Sequence, residues 1–258
     1  MATAKKKQNS KSLRESIYEQ IRDAITFGET VSRTASYRKP NNRQIKSQQK
    51  SSKRSGGCSF QETNVASKND ILNMVSKTIE AYETIDILIN CAGGSAGVPK
   101  VSVEDTIEED WDKVVNLNFK GTFLCTQAVV PYMKKQGNGK IVNLSSVSAR
   151  INSELTPVQY TSSKGAISTF TRHIAGKLGP YGINVNAVAP GITLTPRVTG
   201  MWNERRTEEE RKLYMEKIPL RRLGTVQDVV NSVLFLCSSE SDYITGITLD
   251  VNGGLFSV

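Results

Sequence analysis

Lys140-Ile141-Val142-Asn143-Leu144-Ser145-Ser146 is a short apolar run ending in two serines. Gln159-Tyr160-Thr161-Ser162-Ser163-Lys164 follows it, and then Ile183-Asn184-Val185-Asn186-Ala187-Val188-Ala189-Pro190-Gly191. The first and last stretches read as buried strands bounded by turn residues, and the middle one lies in a run from Pro157 to Leu178 that reads as a helix. Strand, helix, strand is the repeating unit of a parallel sheet, and side chains at the C-terminal ends of such strands line a site. Tyr160 and Lys164 fall one turn apart on one helical face. Alone, that spacing reads as an ordinary surface pair. Beside a strand that delivers serines and another that delivers Pro-Gly, it reads as chemistry: an ammonium near a phenol favours the phenolate and brings the tyrosine toward working range as a proton donor or acceptor.

Working outward, the same alternation continues. Asp86 to Asn90 is a near-continuous apolar strand, and Lys68 to Tyr82 an amphipathic helix through Ile71, Met74, Val75 and Ile79. Cys58 to Val65 is a strand candidate. Trp111 to Lys135 reads as one long helix, Thr195 to Lys217 as a charged excursion, Val226 to Leu236 as a helix and Thr248 to Val251 as a strand. The expected fold class is α/β, a doubly wound parallel sheet.

Taken in order, Asn90-Cys91-Ala92-Gly93, Asn118, Ser146, Tyr160 with Lys164, Pro190-Gly191 with Thr195, and Val251-Asn252-Gly253-Gly254 resemble the short-chain dehydrogenase/reductase family from about Gly56 to the C-terminus. The resemblance implies a Rossmann-like fold and hydride transfer between NAD or NADP and a carbonyl or alcohol substrate, of the 3-oxoacyl-thioester or the sugar/polyol kind. It implies that Tyr160 protonates the carbonyl oxygen, that Ser146 hydrogen-bonds the same oxygen, and that Lys164 binds the nicotinamide ribose while lowering the tyrosine pKa. Asn118 would kink its helix and hold a water of a proton relay. Asn64 and Val65 would touch the adenine, Asn90, Ala92 and Gly93 would let the dinucleotide lie against the backbone, and Pro190, Gly191, Ile192 and Thr195 would fix the carboxamide. Family members commonly pair their long helices into homodimers or homotetramers. Phe119, Phe123 and Val130, with Ile167, Phe170 and Ile174, give this chain more apolar helix faces than one sheet contact uses.

Three departures stand out. Cys91 replaces the family's more frequent asparagine, and the 14 positions from Ser146 to Tyr160 are one more than the usual interval, which keeps Ser148 open as the alternative serine. The third is larger: the family opens with a strand and a TGxxxGxG turn that cradles the cofactor pyrophosphate, and nothing in residues 1–55 reads as that strand-and-turn unit. The first strand and glycine turn are therefore read as absent or replaced, and NAD(P) binding is expected to be far weaker than the Tyr160–Lys164 machinery would suggest.

Two domains are expected, a basic segment over residues 1–55 and the dinucleotide-binding catalytic domain over 56–258. The net charge of +9 belongs to the first: residues 1–55 hold 14 Lys+Arg against 4 Asp+Glu, leaving 20 against 21 for the rest. Within it, Ser12 to Phe27 has helical periodicity, Val31 to Tyr37 alternates as a strand would, and Arg38 to Ser55 reads as solvated linker. Ser12 to Glu29 also resembles the first helix of GntR-type winged-helix regulators, with no recognition helix or wing after it. The runner-up function is an inactive relative whose basic head binds nucleic acid or a protein partner; for the enzyme itself nucleic acid is not an expected partner.

Four cysteines without CxxC spacing imply neither a disulfide nor a metal site, and no apolar run has the length of a membrane span or signal peptide, so a cytoplasmic protein is expected. His173 falls on the helix face turned away from Tyr160, which argues against a histidine base. Arg197, Arg205 and Arg206 are candidates to meet an acidic group on a substrate.

Overall fold

The computed structural model describes residues 60–153, 155–204 and 206–257, without the side chain of Arg197. The expected helix from Ser12, the strand from Val31, the linker to Ser55, Cys58 and Arg205 lie outside the described residues.

Helix α1 (Lys68–Tyr82) starts where Ser67 accepts a hydrogen bond from the Asp70 amide and ends at Glu83, in the left-handed region. Strand β1 (Ile87–Asn90) follows. Next come α2 (Glu108–Val115), a five-residue π-turn (Asn116–Lys120) and α3 (Gly121–Gln136). Strand β2 (Gly139–Leu144), helix α4 (Val158–Leu178) and strand β3 (Ile183–Pro190) realise the unit read first in the sequence. Strand β4 (Thr193–Leu194) comes just before the charged excursion, which folds as helices α5 (Pro196–Glu204) and α6 (Glu208–Glu216). Strand β5 (Gly224–Thr225), helix α7 (Val226–Cys237) and strand β6 (Thr248–Val251) complete the order.

The main sheet has the order β1-β2-β3-β6, every described pair parallel, and β4 pairs with β5 apart from it. Period-two alternation sorts the strands between two cores. Leu88, Ile141 and Val185 pack with Ile71 and Met74 of α1, Val129 and Met133 of α3 and Ala175 of α4. Val142, Leu144 and Val188 face the other way, onto Val229, Val230, Val233 and Leu236 of α7. Helices on both faces of a parallel sheet make the doubly wound architecture expected from the alternation. Among the described residues, β1 pairs on one side only, with β2.

Two expectations need correction. Cys58 to Val65 is not a strand in its described part: residues 60–63 have no regular structure and Asn64 forms a single bridge. The chain turns there because the Asn64 side chain accepts from the Ala66 amide and the Asp70 carboxylate accepts from the Asn64 amide. The long helix expected from Trp111 begins three residues earlier, at Glu108, and is broken by the π-turn. Asn118 causes the break: its Nδ2 donates to the Val114 carbonyl at 2.8 Å, an acceptor that a regular helix gives to a backbone amide.

Candidate active site

The C-terminal ends of β1, β2 and β3 and the first turns of α4 converge on one place. Lys164 is 4% exposed, and its Nζ donates to the Leu144 carbonyl at the end of β2, 2.6 Å away. Burial pushes this lysine down to about 8, and a charge on the neighbouring Cys91 would act in the opposite direction. The ammonium lies 5.7 Å from the centre of the Tyr160 ring, one turn back along α4.

The two serines after β2 have different duties. Ser145 is buried, donates to the Lys164 carbonyl at 2.9 Å and shares a 2.7 Å hydrogen bond with Ser168, so it fastens α4 to the strand end. The half-buried Ser146 accepts from the Ser148 amide and from the Ser148 hydroxyl at 3.0 Å, which leaves its own proton for another acceptor. Ser148 is 3% exposed and orients Ser146.

At the end of β1, the Asn118 side chain clamps Gly94 from both sides. Its Oδ1 accepts from the Gly94 amide at 2.9 Å and its Nδ2 donates to the Gly94 carbonyl at 2.8 Å. Gly93 has φ +154°, and a Cβ there would collide with Asn118 Oδ1 and stand 3.5 Å from Lys164 Nζ. Cys91 is a half-buried thiol pushed up to about 11 by burial, protonated at neutral pH. After β3, Gly191 donates to the Val251 carbonyl, the Ile192 carbonyl accepts from Gly224, and Thr195 is 7% exposed and caps α5 by accepting from the Val198 amide. Arg206 is stacked over the Trp202 and Tyr214 rings, and His173 is exposed.

A family model described as enoyl-(acyl carrier protein) reductase matches residues 35–256, beginning earlier than the motifs do. The 3-oxoacyl-[acyl-carrier-protein] reductase FabG of Thermotoga maritima is 41% identical over 192 residues, 74% of each chain. The short-chain reductase protein NovJ of Streptomyces niveus is 38% identical over 194 residues, 74% of this chain and 71% of its own. Among solved structures, a 3-oxoacyl-[acyl-carrier protein] reductase from Brucella melitensis superposes with a TM-score of 0.69 at 34% identity, covering 77% of this chain and 72% of its own. This chain belongs to the short-chain dehydrogenase/reductase family.

As a short-chain dehydrogenase/reductase it is an oxidoreductase that depends on NAD or NADP. Its described residues fit the nicotinamide end of that cofactor. At Gly93 the space a Cβ would need is taken by Asn118 Oδ1, with Lys164 Nζ 3.5 Å from the same point, so Lys164 and the side-chain-free backbone at Gly93 are the groups that would meet a nicotinamide ribose. The other residues named from the resemblance also make contacts within the fold. Asn90 is 9% exposed; its Nδ2 donates to Asn143 Oδ1 at 2.8 Å and to Thr126 at 3.3 Å. Val65 is 3% exposed and packs under Gly121, and Asn64 closes its own turn. Ala92 is half-buried and packs against the α1–α3–α4 core.

Sequence reasoning missed the buried ladder behind the site. Asn143 Nδ2 donates to Thr171 on α4, Thr126 donates to the Thr122 carbonyl, and Thr122 donates to the Asn118 carbonyl. The signal was available: Asn143 interrupts an otherwise apolar strand, and an amide buried there needs partners. Among the described residues no group of three His, Cys, Asp or Glu side chains could hold a metal, and no helix is long and apolar enough to cross a membrane.

Proposed function

We propose that the chain reduces the 3-keto group of an acyl thioester, with Tyr160, Ser146 and Lys164 as the catalytic residues. The observation that carries this reading is the buried Lys164 ammonium, one turn from Tyr160, fixed to the end of the strand that delivers Ser146. Bound reduced nicotinamide supplies the hydride. Tyr160 donates the proton that the carbonyl oxygen takes up, and Ser146, its hydroxyl oriented by Ser148, donates a hydrogen bond to the same oxygen as charge develops there. Lys164 holds the ribose hydroxyls and, as a nearby cation, favours the ionised tyrosine.

Asn118 positions rather than reacts. Both hydrogens of its amide go to main-chain carbonyls, so a water of the proton relay would have to be held by its backbone. Pro190, Gly191, Ile192 and Thr195 receive the carboxamide. Leu155, Leu194 and Leu213 are exposed on the segments that follow β2 and β3, and such apolar side chains suit an acyl chain better than a polyol. Residues 56–258 form the catalytic unit and 1–55 a separate basic head, in a protein that works in the cytoplasm.

Phe119 of the π-turn and Phe123 of α3 meet Phe170 of α4 edge to face at 5.9 and 6.2 Å, and we assign that aromatic face to a homodimer or tetramer contact. Light scattering at micromolar concentration reads the assembly, and a strict monomer would refute the contact. The activity is tested with acetoacetyl thioesters and reduced cofactor. Turnover lost in Tyr160→Phe supports the assignment, and turnover retained there overturns it.

A further inference from the structure

The two ends of the cofactor site are not equally built. Gly93, the Asn118–Gly94 clamp and Lys164 form one wall at the nicotinamide end. The other wall is Gly191, packed so closely that a Cβ would stand 3.1 Å from Asn252 Cα, with the buried Thr195.

Toward the adenosine diphosphate end the chain offers little of the kind. Pyrophosphate is held in doubly wound sheets by backbone amides of a glycine turn at a helix N-terminus, where the absence of side chains allows close approach. Residues 1–59 contain glycine only at positions 28, 56 and 57, so no such turn can be written from them. Among the described residues, β1 has no strand on its outer side. Asn64 accepts from Ala66 and Val65 is buried in the core, so both are engaged within the chain.

We propose that this chain recognises the nicotinamide mononucleotide half of its cofactor and draws little affinity from the adenosine phosphate half. The inference rests on the site reading given under the proposed function. The adenosine phosphate part then lies against the protein without a dedicated cradle, and NADH, NADPH and the mononucleotide become near-equivalent ligands.

The test is a titration of the full chain with reduced nicotinamide mononucleotide, NADH and NADPH, read by nicotinamide fluorescence and by calorimetry. Dissociation constants within tenfold of one another are expected. A preference above tenfold for NADH or NADPH overturns the proposal. If that preference collapses with added salt, the basic residues of the head, eight Lys and Arg with no Asp or Glu between positions 30 and 55, are the phosphate holders instead. Lys164→Ala, with its fold checked by circular dichroism, separates this failure from failure of the site. It should lose all three ligands together; mononucleotide binding that survives the substitution overturns the site reading itself.

Discussion

The wall behind the site and the α5–α6 pair, which we propose covers it, are held in different ways. Behind it, Asn118, Asn143 and Thr171 are fully buried, and their hydrogen bonds join β1, β2, the π-turn, α3 and α4 into one ladder. Over it, α6 has no buried residue. The α5–α6 cover is held locally, by the Trp202 and Tyr214 rings at 5.4 Å, the Arg206 guanidinium above both, and the Thr207–Glu210 capping box. A buried amide with every group engaged tolerates no drift, whereas an exposed helix pair with local contacts moves as a unit at small cost. On the function proposed above, proton-transfer geometry would belong to the wall and substrate choice to the cover.

The comparison can be broken most sharply at Tyr160. Tyr160→Phe removes only the proton-transferring hydroxyl, so turnover should fall by roughly 10²–10⁴-fold while the melting temperature stays near that of the parent. Asn143→Leu tests whether the ladder is structural. It removes two buried hydrogen bonds, leaving Asn90 Nδ2 only its longer bond to Thr126 and the Thr171 hydroxyl only its bond to the Ile167 carbonyl, and should cost about 0.5–1.5 kcal/mol for each bond lost, read from urea unfolding. An unchanged midpoint would mean that the ladder holds nothing.

Lys164 separates binding from stability along pH. Its folded value of about 8 lies below the ordinary 10.5, so between those limits the unfolded chain carries more of this proton. The destabilising contribution of burying the charge is full below pH 8 and fades as pH rises toward 10.5. Cofactor affinity should move oppositely, weakening above pH 8 as the ammonium is lost. Lys164→Met should flatten both trends, and a parent whose affinity is level from pH 7 to 10 would contradict the assignment. The smallest effect is expected in the cover. Arg206→Ala removes a partly exposed cation–π contact of about 0.5–1 kcal/mol, and should raise KM a few-fold with kcat nearly constant. A fall in kcat instead would make the cover part of the chemical machinery.

Much of this was legible beforehand, for identifiable reasons. Ile141, Val142 and Leu144 declare a doubly covered strand by continuous hydrophobicity, and Tyr160 with Lys164 declare a helix face by spacing. Residues whose meaning depends on a distant partner were not legible. The division of labour between Ser145 and Ser146 follows from Ser168 and Ser148, and nothing in the local run distinguishes the two hydroxyls. Strands β4 and β5 are two residues each and exist only through one another. In the strand candidate Cys58 to Val65, the described residues 60–65 do not form a strand because Asn64 and Asp70 draw the chain into a turn.

The π-turn at Asn116–Lys120 has a consequence for how the gene can vary. A π-turn holds one residue more than an α-turn over the same rise, and each residue of a helix advances its face by about 100°. Upstream, Val114 is in the core; downstream, Leu124, Val129 and Met133 are, and both sets keep their orientation only with that extra residue in place. Loss of a single codon here would regularise the hydrogen bonds and yet rotate one half of the helix away from the sheet. Length at this point is thus a coding constraint as strict as residue identity, and substitutions should be tolerated between positions 116 and 120 far more readily than any insertion or deletion.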